Sequence, residues 1–214
     1  MRYKCLILDH DDTVVNSTAT VHFPSFVEYL KIYKPHLADK YTLTEYFEKN
    51  FDPGVEWLFL SDVGLTEEEF LAEQDFWAEY VKAFAGIKEI LKKHKAEGGI
   101  IAVVSHSYSE YIKRDWRTSD LPEPDIIFGW DMPKELRKPH PHSVLEIMKR
   151  FSLKPDEILV VDDLKPGYDM ARAAGAAFAA AGWAYDVPKI ESFMRKNCDF
   201  YLKSVSDLAS LLGY

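Results

Sequence analysis

Apolar and polar positions along the chain fall into two rhythms. Leu6-Ile7-Leu8, Ile100-Ile101-Ala102-Val103-Val104 and Ile158-Leu159-Val160-Val161 are unbroken aliphatic runs of strand length, each stopped by polar residues. Such runs predict strands buried on both faces of a parallel sheet, and Ile126-Ile127-Phe128 is a shorter one. Between them the period is helical: Ile87, Ile90, Leu91 and His94 lie on one face before Gly98-Gly99, and Val144, Leu145, Met148 and Phe151 on another. Small residues from Tyr168 to Ala174 suit a helix packed closely on a sheet. Ala176–Ala181 is ambiguous, because its alanines favour helix while Gly175 and Gly182 bracket it at strand length. The strand–helix alternation requires a strand there. Phe200-Tyr201-Leu202 and a helix from Ser206 close the chain.

From Thr13 to about Phe84 the pattern is helical throughout, with no strand expected. Phe26, Tyr29, Leu30 and Tyr33 recur at helical spacing. Thr42…Glu45 and Thr66…Glu69 have the form of capping boxes, and Phe70, Leu71, Phe76, Trp77, Tyr80 and Val81 supply an apolar stripe after the second. The aromatics Tyr46, Phe47, Phe51, Trp57 and Phe59 read as the interior of this helical bundle, with a substrate-facing wall as the alternative.

Composition narrows the partners. A formal charge of −9 over 214 residues works against nucleic acid or an anionic membrane, since both require a basic surface. It also means that an anionic substrate needs local cations. Cys5 and Cys198 read as reduced, buried thiols. No targeting segment is expected, and the charge-free stretch Ala173–Trp183 is too short to span a bilayer. A cytoplasmic protein, monomeric or weakly dimeric, is expected.

The polar residues that stop the strands carry the chemistry. They are Asp9 and Asp11, then Ser105, then Asp162 and Asp163. Parallel strands place all these ends on one edge of the sheet, where open α/β sheets bind ligands. In an extended backbone Asp9 and Asp11 point the same way, Asp12 faces away and Thr13 returns. Four carboxylates gathered there repel by roughly 4 kcal/mol per pair at about 4 Å and an effective dielectric near 20. The array therefore calls for a hard divalent ion, Mg²⁺, together with Lys138. Arg114 reads as a surface arginine, with a substrate anion as the alternative.

These residues resemble the haloacid dehalogenase superfamily of aspartate-nucleophile hydrolases. Asp9-His-Asp-Asp-Thr13 looks like its first motif, Ser105 its second, Lys138-Pro139 its third, and Asp162-Asp163 with Gly167 its fourth, all in the family's order. The resemblance implies an α/β fold: a Rossmann-like parallel-sheet core of residues 1–16 and 84–214 with an all-helical cap inserted at 17–83. It further implies a Mg²⁺-dependent phosphomonoester hydrolase acting on a small phosphorylated metabolite. Asp9 is then the nucleophile and Asp11 the acid/base, its main-chain carbonyl also on the metal. Ser105 and Lys138 hold the phosphoryl group with N–H groups near His10 and His106. Asp163 is a metal ligand, Asp162 a direct or water-mediated one, and Thr13 part of the phosphate loop. His10 stands where apolar residues are common, and substrate or cap contact is expected of it. Retention of Asp11 favours phosphate esters over haloacids or phosphonates. A sugar phosphomutase on the same core is the competing reading, and a non-hydrolytic, receiver-like phosphate-binding domain is a third.

Overall fold

The computed structural model describes residues 2–54, 56, 58–66, 69 and 81–214. Six strands form one parallel sheet: β1 (Cys5–Leu8), β4 (Ile100–Val104), β5 (Ile126–Phe128), β6 (Ile158–Asp162), β7 (Ala177–Ala181) and β8 (Phe200–Leu202). Their order is β5-β4-β1-β6-β7-β8, which puts the first strand in the middle, with later strands added outward on either side. That is the doubly wound Rossmann-type order, and its direction reverses between β1 and β6.

Side-chain alternation explains the aliphatic runs. In β1, Leu6 and Leu8 point to one face and Cys5 and Ile7 to the other, and all four are fully buried. Leu6 and Leu8 pack with α3 (Ile87–Ala96), α4 (Ser109–Thr118) and α8 (Val205–Leu212). Cys5 and Ile7 pack with α5 (His142–Phe151), α6 (Lys165–Ala174) and α7 (Pro188–Asn197). Each face thus has its own apolar layer, so no strand residue between them needs to be polar. The alanine run is a strand: β7 pairs with both β6 and β8, and tertiary pairing overrides its helical propensity.

Between Thr18 and Val63 the described regular elements are all helical: α1 (Phe23–Tyr33), α2 (Leu43–Phe51), a 3₁₀ turn at Pro35–Leu37 and π-type turns at Thr18–His22 and Leu58–Val63. The Thr42 capping box is formed as expected. Phe26, Tyr29, Leu30, Tyr46, Leu58 and Phe59 form a separate apolar cluster that also receives Trp130. Phe47 and Phe51 correct the expected bundle interior: they face the sheet layer, stacking near Tyr185 (4.2 Å between centroids) and Phe193 (5.4 Å). Trp57 and the stripe expected from Phe70 to Tyr80 lie outside the described residues. The expectation of a strand-free segment is also corrected. Two-residue strands β2 (Val15–Asn16) and β3 (Lys82–Ala83) pair antiparallel at its two ends. No described helix is long and apolar enough to cross a membrane.

Candidate active site

Register brings the first acids together. Leu8 pairs with Val161, and the Asp9 N–H continues the ladder by donating to the Val161 carbonyl (2.9 Å). Asp9 therefore sits beside Asp162 just beyond the carboxyl ends of β1 and β6, at the point where the strand order reverses. Oxygens of Asp9, Asp162 and Asp163 all lie within 4.8 Å of one another, and all three residues are buried. The Lys138 side chain, 2% exposed, reaches between them: Nζ is 2.7 Å from Asp162 Oδ2 and 3.0 Å from Asp9 Oδ1. Those two carboxylates hold the ammonium well above its ordinary range in spite of its burial.

One lysine does not balance three acids. Burial, followed by the Asp162, Asp12 and Asp9 charges, pushes Asp163 well above the carboxylate range. Burial also raises Asp162 to about 7 against the pull of Lys138. A cluster of hard oxygen donors with surplus negative charge is what a divalent cation such as Mg²⁺ relieves. The donor set fits. Asp162 has both oxygens engaged, Oδ1 accepting from the Leu164 N–H (2.8 Å) and Oδ2 from Lys138. Asp163 is oriented by hydroxyls, Thr13 Oγ1 donating to Oδ1 (3.2 Å) and Tyr185 to Oδ2 (3.1 Å). Gly167, in the first turn of α6, is required here because a Cβ would overlap the Asp162 carboxylate.

The fourth acid takes a different place. Asp11's carboxylate is not part of the three-acid group; it accepts from Ser107 Oγ and faces His22 Nε2 at 3.2 Å. The chain leaves strand geometry after Leu8 and turns through a left-handed Asp12 (φ +53°). Simple alternation therefore does not carry Asp11 to Asp9's partners. Asp12 faces inward, its Oδ1 accepting from the Ser17 and Thr18 N–H groups. Burial opposes ionisation of Asp11, but the His22 contact and the Ser107 hydroxyl outweigh it and hold the carboxyl below its usual range.

His10 corrects the expectation of a substrate-facing side chain. Its ring is 1% exposed and points into α4: Nδ1 accepts from Trp116 Nε1 (3.3 Å), so Nε2 carries the hydrogen donated to Asp115 Oδ2 (3.2 Å). Arg114 pairs with Asp115 (2.7 Å), on the outer side of the same helix.

A pocket of about 80 Å³ is lined by Asp9, Asp11, Ser105, Ser107 and Lys138, with Thr18, His22, Tyr46 and Asn50 contributed by the helical segment. Ser105 follows β4, its N–H bonded to the Phe128 carbonyl, and its Oγ accepts from the Ser107 N–H (3.2 Å). His106 Nε2 donates to the Lys138 carbonyl (3.1 Å). Burial and the Lys138 charge lower His106 to about 4, so the ring is neutral near pH 7. Sequence reasoning missed His22, Asn50, Ser107 and Tyr185. Only Ser107, two positions past Ser105 on the same strand-end loop, carried a local signal.

Fold and site together define a doubly wound α/β protein with a buried acid–lysine crevice at its switch point. Residues 6–181 match the family model of haloacid dehalogenase-like hydrolases, and the chain belongs to that family. Among curated relatives, phosphoglycolate phosphatases of Photorhabdus laumondii and Haemophilus influenzae are 32% and 25% identical over 124 and 135 residues. These matches cover 58% and 61% of this chain, and 50% and 58% of the relatives' own length. Among solved structures, a haloacid dehalogenase-like hydrolase of Streptococcus pneumoniae superposes with a TM-score of 0.75 at 15% identity, covering 99% of each chain. A family hydrolase of Deinococcus radiodurans with bound phosphate and sodium gives 0.68 at 21% identity, covering 99% of this chain and 96% of its own. At those identities the likeness is one of fold.

Proposed function

We propose that the protein is a Mg²⁺-dependent phosphomonoester hydrolase acting on a small phosphorylated metabolite. One observation carries the reading: Lys138 is buried between Asp9 and Asp162, beside Asp163 and against a pocket that also holds Asp11 and Ser105. Residues 1–16 and 84–214 form the catalytic core in this reading, and 17–83 a helical cap that closes the pocket with Thr18, His22, Tyr46 and Asn50.

Asp9 attacks phosphorus while the bond to the leaving oxygen breaks, giving an aspartyl phosphate, and Asp11 supplies the proton that the leaving oxygen takes. Water then attacks phosphorus, gives its proton to Asp11, and phosphate leaves as the bond to Asp9 breaks. The ionised Asp11 of the resting site is the form this second half uses. For the first half, a phosphate anion entering beside it raises its proton affinity. Ser105 Oγ and the loop N–H groups of His10 and His106 hold the phosphoryl oxygens, and Lys138 balances Asp9 and the incoming charge. Mg²⁺, held by Asp9, Asp163 and the main-chain carbonyl of Asp11 with Asp162 in support, supplies electrostatic stabilisation of the phosphoryl oxygens.

Phosphate release from a panel of phosphorylated metabolites, with Mg²⁺ and with a chelator, tests this. Mg²⁺-dependent release is expected. Isomerisation of a sugar phosphate without release points to the phosphomutase reading, and a long-lived phosphoprotein without turnover to the phosphate-binding one.

A further inference from the structure

A second cavity, about 260 Å³, adjoins the phosphate pocket and shares Asn50, His106 and Lys138 with it. Its volume equals about nine water molecules at roughly 30 Å³ each, room for a leaving group of a few carbons. Its wall is cationic in a chain whose net charge is −9. Lys134–Leu136 is a single 3₁₀ turn, and residues three apart on such a turn eclipse. Lys134 and Arg137 therefore project to the same side, and both line the cavity. Among the described residues of that lining Glu56, from the helical segment, is the only acid, and it is paired with Lys134 at 2.8 Å.

Arg137 is held in place. Its guanidinium lies over the buried Trp130 ring at 4.1 Å, and its Nε donates to the Met132 carbonyl at 2.8 Å. Among the described residues its terminal nitrogens have no acceptor. A stacked, pre-oriented guanidinium with its fork unused is suited to an oxyanion, with little side-chain entropy left to lose.

Building on the phosphatase reading, we infer that this cavity receives the leaving group, and that Arg137 selects a leaving group carrying its own carboxylate or phosphate. Specificity toward the alcohol portion then lies partly in the core loop just before Lys138, not only in the helical segment.

The test compares 2-phosphoglycolate and pyrophosphate with 2-hydroxyethyl phosphate, a neutral analogue of the first, on the full chain with Mg²⁺. Wild type should prefer one of the charged substrates by about 10- to 100-fold in kcat/KM, as hydrogen bonds between charged partners allow. Arg137→Gln should erase that preference through KM while staying within about twofold on 2-hydroxyethyl phosphate, and Arg137→Lys should restore part of it. Whichever charged substrate responds identifies the oxyanion. Equal losses on charged and neutral substrates in Arg137→Gln, or no charge preference in wild type, overturn the inference. Calorimetric binding of the same compounds separates it from the phosphatase reading. Absence of turnover on every phosphomonoester, p-nitrophenyl phosphate included, sinks that reading, whereas binding that ignores the leaving-group charge sinks this one.

Discussion

Replacing Asp163 by Asn should make the metal-free protein more stable while removing the reason for the site. Asp163 is 3% exposed, and its oxygens lie within 4.8 Å of those of both Asp9 and Asp162. At that separation each pair of like charges repels by about 3.5 kcal/mol at an effective dielectric of 20. Lys138 contacts Asp9 and Asp162, so its relief reaches Asp163 only at a distance. The amide keeps the shape, and its oxygen still accepts from Thr13. Part of the repulsion is already avoided in the wild type by protonation, because burial and the neighbouring acids raise the Asp163 carboxyl. A gain of about 1–3 kcal/mol near pH 8 is therefore expected. The sign of the pH dependence follows from the same shift. A carboxyl whose folded value is raised contributes stability that is present at low pH and lost as pH climbs through the folded value. The variant lacks that titration, so its advantage should be small at pH 5 and grow toward pH 8. Saturating Mg²⁺ should reverse the order, since a ligand at 100 times its Kd stabilises by about 2.7 kcal/mol and the variant loses a donor. Urea unfolding with chelator and with Mg²⁺, at three pH values, measures all of this. A metal-free Asp163→Asn protein less stable than wild type at pH 8 would refute the charge argument.

Asp9→Asn should abolish turnover while leaving the fold intact by circular dichroism; activity above trace deamidation would remove Asp9 as nucleophile. Asp11→Asn should lose far more on alkyl phosphates than on p-nitrophenyl phosphate, whose leaving group needs no proton, and steady-state kinetics showing equal losses would contradict its acid role. Gly167→Ala should cost about 1–3 kcal/mol by overpacking against Asp162 and weaken Mg²⁺ binding, both readable by calorimetry; a neutral result would mean that the α6 turn yields freely. His10→Leu should cost about 1–3 kcal/mol by leaving Asp115 and the Trp116 indole without their partner, with denaturant midpoints as the readout and no shift as the contrary result.

The parts of the fold legible in the sequence were those where one physical demand acted alone. β1, β4 and β6 had to be aliphatic throughout because helices cover both their faces, and nothing else competes for such residues. β7 was legible only through the alternation around it, since alanine is small enough for a tightly covered strand and equally good in a helix. Strands β2 and β3 were not legible, because two residues carry no period. At the site, the meeting of Asp9 with Asp162 and Asp163 followed from strand register. Asp11 shares Asp9's pocket as expected, but its contacts with His22 and Ser107, and those of His10 with Asp115 and Trp116, are made by residues distant in sequence and leave no local pattern. Arg137 was passed over in favour of Arg114, which pairs on a helix instead. A stack on Trp130 is a tertiary fact with no trace in local spacing.

The small antiparallel ribbon has a consequence out of proportion to its four residues. Asn16 faces Lys82 across it, so the polypeptide departs from the sheet and returns to it through neighbouring doors. The segment between them is tied to the core at this double stalk and again where Phe47 and Phe51 meet Tyr185 and Phe193. Neither tie uses a backbone rung of the six-stranded sheet, so the segment can vary in length or shape while those rungs stay paired. The diet of such a protein can therefore change over generations while the chemistry at the end of β1 stays where it is.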